Sequence, residues 1–145
     1  MSRWKRGVAI GATANTIMSV IEPVERALLG RTPPYHASAI AERLVARRPN
    51  APLSKRLLAF GLRWGGGAAL GVAWAAARPL LPRSRLAAGA LFGAALAAAQ
   101  RTALPRLGAA PPVAAWPRED RIALTVHALV WSLAAATVDG RGRHS

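Results

Sequence analysis

The stretch GVAIGATANTIMSVIEPVERALLG (7–30) decides how the chain is read. From 7 to 21 it carries no charge and opens like a membrane helix, yet its last turns take in Glu22, Pro23 and Glu25. Gly7, Gly11, Asn15, Ser19 and Glu22 follow one another at steps of four, four, four and three. That spacing puts them on one helix face, small at one end and polar at the other. Small residues let helix backbones approach closely. A helix that ends at Gly30 holds Glu22 about 12 Å inside it at 1.5 Å per residue. Charge near a bilayer centre costs about 2.5–3.5 kcal/mol per residue on insertion scales, so such a carboxylate needs a partner.

Three further apolar runs lie beyond it. Spanning about 30 Å of hydrocarbon takes about 20 helical residues, and helices are expected at about 6–29, 56–78, 84–104 and 117–139. The second run, RLLAFGLRWGGGAALGVAWAAARPLL (56–81), is the clearest. The third, LAAGALFGAALAAAQ (86–100), is short and rich in alanine, and requires Arg101 to snorkel. The fourth opens at Trp116 and Pro117, with proline suited to the first helical position and Glu119 and Asp120 complementing the helix dipole. Trp4, Tyr35, Trp74 and Trp116 fall near the expected interfaces, as an aromatic belt requires.

Between the first two runs, HASAIAERLVARR (36–48) places Ala37, Ile40, Ala41, Leu44 and Val45 at helical spacing opposite Glu42, Arg43 and Arg47. This predicts a short amphipathic helix, preceded by Pro33 and Pro34 and closed by Pro49. It lies on the bilayer surface, with anionic lipid as its partner, or caps the end of the bundle.

Composition agrees with a membrane reading. The chain has 145 residues, enough for a single domain (1–145), and 52% of them are hydrophobic. Its net charge is +14, carried by 18 Arg and 2 Lys. With abundant Ala, Gly and Pro, that arginine bias implies a GC-rich bacterial coding sequence. A basic chain raises nucleic-acid binding first. Here the basic residues bracket the apolar runs instead of forming one patch, the arrangement of a multi-pass membrane protein, so no nucleic-acid partner is expected. The opening SRWKR (2–6) could begin a signal peptide, but the run continues to Glu22 with no small-x-small cleavage site, and an uncleaved first helix is expected. The cysteine count is zero, which excludes disulfides, thiolate catalysis and Cys-ligated metals.

A weak repeat runs through the chain. Gly7, Gly11 and Pro23 correspond to Gly89, Gly93 and Pro105 at an offset of 82, and Gly30, Pro33 and Pro34 to Gly108, Pro111 and Pro112 at 78. Two tandem helical hairpins would produce it. Gly7 and Gly11, Gly67 and Gly71, and Gly89 and Gly93 each form a GxxxG step, and these six glycines are the expected packing positions.

The candidate site comes from depth. Arg63 and His127 each lie seven residues inside their helices from the loop end, about 10 Å, close to the depth of Glu22. The expectation is that Glu22, Arg63 and His127 meet, with Asn15 and Ser19 on the same face and Glu25 and Arg26 left at the interface. Such a cluster either fixes how the helices dock or handles protons, ions or an anionic group. Other chemistries are not supported. His36 and His144 fall outside the spans, so bis-histidine haem within one chain is not expected. No His, Asp or Glu set has metal-ligand spacing, Ser19 lacks a triad histidine, and no phosphate loop follows GVAIGATAN (7–15). No metal, no cofactor and no enzymatic activity are expected.

At GATANTIMSVIEPVERALLGRTPP (11–34), LRWGGGAALG (62–71) and VHALVW (126–131), the chain resembles the YagU-like small bacterial multi-pass membrane proteins. The resemblance implies a glutamate in the first helix, a Pro-Pro loop and Gly-rich helices with an aromatic residue and a histidine, matched here by Glu22, Pro33, Pro34 and His127. It implies no activity. Where the pattern would place a histidine in the second helix, this chain has Arg63.

The sequence therefore predicts an all-α, four-helix transmembrane bundle in the bacterial cytoplasmic membrane. Both termini share one side, and the chain works as a packing or accessory component, alone, as a homo-oligomer or with a membrane partner. The alternative is a small proton- or ion-coupled transporter using Glu22, Arg63 and His127. The dense N-terminal basic cluster favours a cytoplasmic N-terminus, although the basic totals of 8 on that side and 11 on the other point the opposite way.

Overall fold

A computed structural model describes residues 1–48, 50 and 54–141. Pro49, which was expected to close the loop helix, and His144 lie outside them. The described residues form five α-helices and no strand: α1 (Arg3–Leu29), α2 (Ala37–Arg47), α3 (Lys55–Ala77), α4 (Arg85–Arg106) and α5 (Arg118–Arg141). Short 3-10 turns at Arg78–Leu80 and Val113–Ala115 lead into the links before α4 and α5.

Local chemistry accounts for the helix ends. Ser54 and Ser84 cap α3 and α4, each accepting from a backbone N–H three residues on, at 3.2 and 3.3 Å. Gly30 ends α1 at φ 66°, a left-handed conformation that glycine adopts without a Cβ penalty. Gly108, just past the C-terminus of α4, takes nearly the same value, 68°. Pro23 and Pro105 sit inside α1 and α4, which continue through them.

The long helices pack in the order α3, α1, α5, α4, and α2 lies against α3. Glycine decides the α1–α3 contact. A Cβ built on Gly7 would lie 2.8 Å from the Gly71 carbonyl oxygen, and one on Gly71 would lie 2.6 Å from the Gly11 nitrogen. The two backbones touch there, and nothing larger fits. Gly89 and Gly93 do the same for α4, where Leu133 and Leu129 of α5 close over them.

Close backbones leave a thin core, and aromatic rings fill the wider part. Trp74 packs edge-on to Phe92 at 5.2 Å, and Phe92 lies 6.4 Å from Trp131, so three helices meet on three rings. This corrects the expected aromatic belt. Trp74 is 0% exposed, Tyr35 and Trp116 are also buried, and of those four rings Trp4 alone faces outward. The volume left between Gly-rich helices needs large side chains more than the bundle rim does.

Ala41 is fully buried and Arg43 donates to the Gly108 carbonyl oxygen, so α2 closes the loop end of the bundle. At the opposite end Arg6 and Arg78 hold Asp139 at 2.7 and 3.4 Å. Among the described residues, two helices, Arg3–Leu29 and Arg118–Gly140, are long and apolar enough to cross a membrane. Two of the four expected spans, α3 and α4, do not reach that level. Arg63 and five glycines dilute α3, and Gln100 and Arg101 dilute α4.

Candidate functional site

Helix α1 carries two carboxylates one turn apart, and they look in different directions. Three residues rotate a helix by about 300°, so Glu22 and Glu25 point about 60° apart. Glu22 faces α3 and Glu25 faces α5.

Glu22 accepts a hydrogen bond from Arg63 Nη2, and both side chains are mostly buried. The same stretch of α3 is held a second way. Asn15 Nδ2 donates to the Arg63 carbonyl oxygen at 2.5 Å, and Ser19 Oγ donates to the Asn15 carbonyl oxygen at 3.0 Å. Gly67 lies directly against the Asn15 side chain, where a Cβ would come within 2.5 Å of Nδ2. The polar face of α1 is thus tied to α3 by one ion pair and one side-chain-to-backbone bond.

His127 does not join that pair. Its Nδ1 lies 3.1 Å from Glu25 Oε2, and His36 Nε2 lies 2.9 Å from the same oxygen. The other oxygen, Oε1, accepts from the Tyr35 hydroxyl. The three rings enclose the carboxylate, with centroids 5.2 Å apart for Tyr35 and His36, 5.4 Å for Tyr35 and His127, and 5.7 Å for the two histidines. Glu25 was expected at the interface and His36 outside the spans; His36 does lie in the link before α2, but it is buried there and bonded to Glu25, a contact the sequence did not suggest. After Pro33 and Pro34 the chain turns back, with the His36 N–H donating to the Pro33 carbonyl oxygen, and this carries Tyr35 and His36 into the bundle end. There Tyr35 packs near Trp116 and a small apolar cluster with Ala110 and Leu124.

Burial, and next the hydrogen bond to Glu25, push the Tyr35 phenol above its ordinary value. It stays neutral and donates. Nε2 of His36 faces the carboxylate and carries the ring's proton toward it, while among the described residues its buried Nδ1 has no hydrogen-bond partner. The cations nearby are engaged elsewhere, Arg63 with Glu22 and Arg31 with Asp120 at 2.8 Å. Among the described ion pairs, Glu25 has only the two histidines as partners.

Two spaces adjoin these groups. A cavity of about 170 Å³ is lined by Asn15, Glu22, Arg63, Gln100, His127 and Trp131 among others. Three of these residues carry a buried polar atom without a partner: Arg63 Nε, Gln100 Oε1 and Trp131 Nε1. A groove of about 430 Å³ runs between α1 and α5, walled by Val24, Leu28, Ile122 and Val126, with Glu25 and His127 at its side.

Depth in the sequence pointed to Glu22, Arg63 and His127, and helical spacing to Asn15 and Ser19; the fold joins Glu22, Arg63, Asn15 and Ser19 and gives His127 to Glu25. Tyr35 and His36 were missed as site residues. Their signal was local, an aromatic residue and a histidine directly after a Pro-Pro reversal. No protein family, curated protein or solved structure matches this chain.

Proposed function

We propose that the chain is a small multi-pass protein of the bacterial cytoplasmic membrane, in which α1, α3, α4 and α5 span the bilayer as two tandem hairpins and α2 lies at the interface. It is not an enzyme. It acts as a packing or accessory component, with lipid as its surroundings and a second copy or a membrane protein as its partner, and its termini are cytoplasmic.

One observation carries this reading. Every long helix turns large apolar side chains outward: Val20 and Leu28 on α1, Leu57 and Phe60 on α3, Leu86 and Leu91 on α4, Ile122 and Val126 on α5. The inside holds glycines, alanines, a few large side chains such as Met18, Trp74 and Trp131, and the ionisable residues described above. Buried ionisable groups together with exposed large apolar side chains on every long helix are the features that favour a lipid surround. In lipid the cost of an outward leucine vanishes, and close packing through small residues holds the helices together. The test is extraction from bacterial membranes. The protein stays in the pellet after alkaline carbonate washing and leaves it only with detergent, and release by carbonate alone would reject the proposal.

A second reading, proton- or ion-coupled transport, is favoured by the small cavity with its three unpartnered polar atoms. Buried polar atoms of that kind are commonly satisfied by water. Glu22→Gln compared with wild type in proteoliposomes tests it. Coupled flux in the wild type that is lost in the variant supports transport, and a folded wild type with no flux removes it.

A further inference from the structure

We propose that Glu25, His36 and His127 form a binding site for a late first-row divalent metal ion, with zinc as the representative ion. This goes beyond the packing role and does not depend on it.

The donor set is the first argument. Two imidazoles and a carboxylate are ordinary zinc ligands, and three protein ligands leave a coordination position open. One donor atom from each of the three residues can be chosen so that all lie within 4.8 Å of one another. Ligands held at about 2.0–2.1 Å from a tetrahedral ion stand about 3.3 Å apart. The two histidine-to-Oε2 distances, 2.9 and 3.1 Å, differ from that by a few tenths of an ångström. Small side-chain rotations open the space the ion needs.

Charge is the second argument. Glu25 is buried to 12% side-chain exposure, and among the described ion pairs no arginine or lysine is joined to it. A buried carboxylate is costly without a compensating positive charge. Its hydrogen-bond partners are a neutral phenol and two imidazoles. A divalent cation supplies the missing charge at the point where the three donors converge.

Support around the donors is the third. The donors come from α1, from the link before α2 and from α5, so the site is fixed by the fold as a whole. Tyr35 holds Glu25 Oε1, the outer-shell hydrogen bond that orients ligating carboxylates. Coordination through His36 Nε2 moves that ring's proton to Nδ1, a cost the metal bond offsets. A cavity of about 170 Å³ borders His127 and Tyr35 on the side towards α3.

The experiment uses full-length protein purified in detergent without a polyhistidine tag and stripped with chelator. Zinc titration by calorimetry is expected to give one site per chain. Glu25→Gln, His36→Gln and His127→Gln are expected to abolish it. Tyr35→Phe is expected to weaken it by about 10-fold, as removal of an outer-shell partner does, and His144→Ala to leave it unchanged. Because ligand variants can lose the fold, X-ray absorption of the zinc-loaded wild type is the second readout, with scattering from two imidazoles expected. The proposal is overturned if the wild type takes up no stoichiometric zinc. It is equally overturned if the bound ion shows no imidazole scattering, or if folded Glu25→Gln and His127→Gln bind zinc as tightly as wild type.

Discussion

Arg63 of α3 donates to the carboxylate of Glu22 on α1, across a seam where the two backbones already touch through glycine. Removing one partner leaves the other charge buried and unanswered, whereas removing both leaves only a void. Arg63→Ala and Glu22→Ala are each expected to lower stability by about 3 kcal/mol. The double variant should lose less than the two together. Denaturation in detergent micelles measures the cycle, and simple additivity would show that the pair is not coupled.

The same seam yields a prediction of opposite signs at neighbouring glycines. A Cβ at Gly71 would meet the backbone of Gly7 and Gly11, which cannot yield as a side chain can. Gly71→Ala should therefore cost about 1–3 kcal/mol, the usual penalty for overpacking. Gly65 is also within α3, but a Cβ there meets nothing within 4 Å. Gly65→Ala should stabilise the helix by about 0.5–1 kcal/mol. Equal effects at the two positions would contradict the seam.

Tyr35 is the only tyrosine in the chain, so tyrosinate absorbance reports on it alone. Burial and its bond to Glu25 raise the folded value above the unfolded value of about 10. The sign follows from linkage. The stabilisation is fully present below the unfolded value and is lost as pH rises through the folded one. In chelator-stripped protein the native phenol should remain protonated at pH about 10–11 and ionise normally once denaturant unfolds the chain. Ordinary native titration would place Tyr35 at the surface.

Much of this was legible in the sequence because it was periodic. The step of four from Gly7 to Ser19 fixed the face of α1 that meets α3, and equal depth singled out Glu22 and Arg63. Gly30 and Gly108, paired by the repeat, both adopt positive φ. What the sequence could not show depended on direction. Depth placed His127 with Glu22 and left Glu25 nearer the interface, and only the packing of α5 on the other side of α1 assigns the histidine to Glu25. His36 was read as lying outside because it sits in a loop, and spacing alone does not reveal a chain that folds back after two prolines. The tryptophans were read by position along the helices, while the space between the helices determined where the rings went.

The central claim is that these helices face lipid, and a single-cysteine scan tests it most directly because the natural chain contains no cysteine. Ser38→Cys, on α2, and Arg83→Cys, at the opposite end of the bundle, are both at exposed positions. Ile17→Cys lies midway along α1 and Leu91→Cys about a third of the way along α4, and both also point outward. In sealed, right-side-out membrane vesicles, a membrane-impermeant maleimide should label only one of Ser38→Cys and Arg83→Cys. It should label neither Ile17→Cys nor Leu91→Cys until detergent is added. Labelling of both ends from the same side, or rapid labelling at Ile17→Cys and Leu91→Cys in sealed vesicles, would contradict the account.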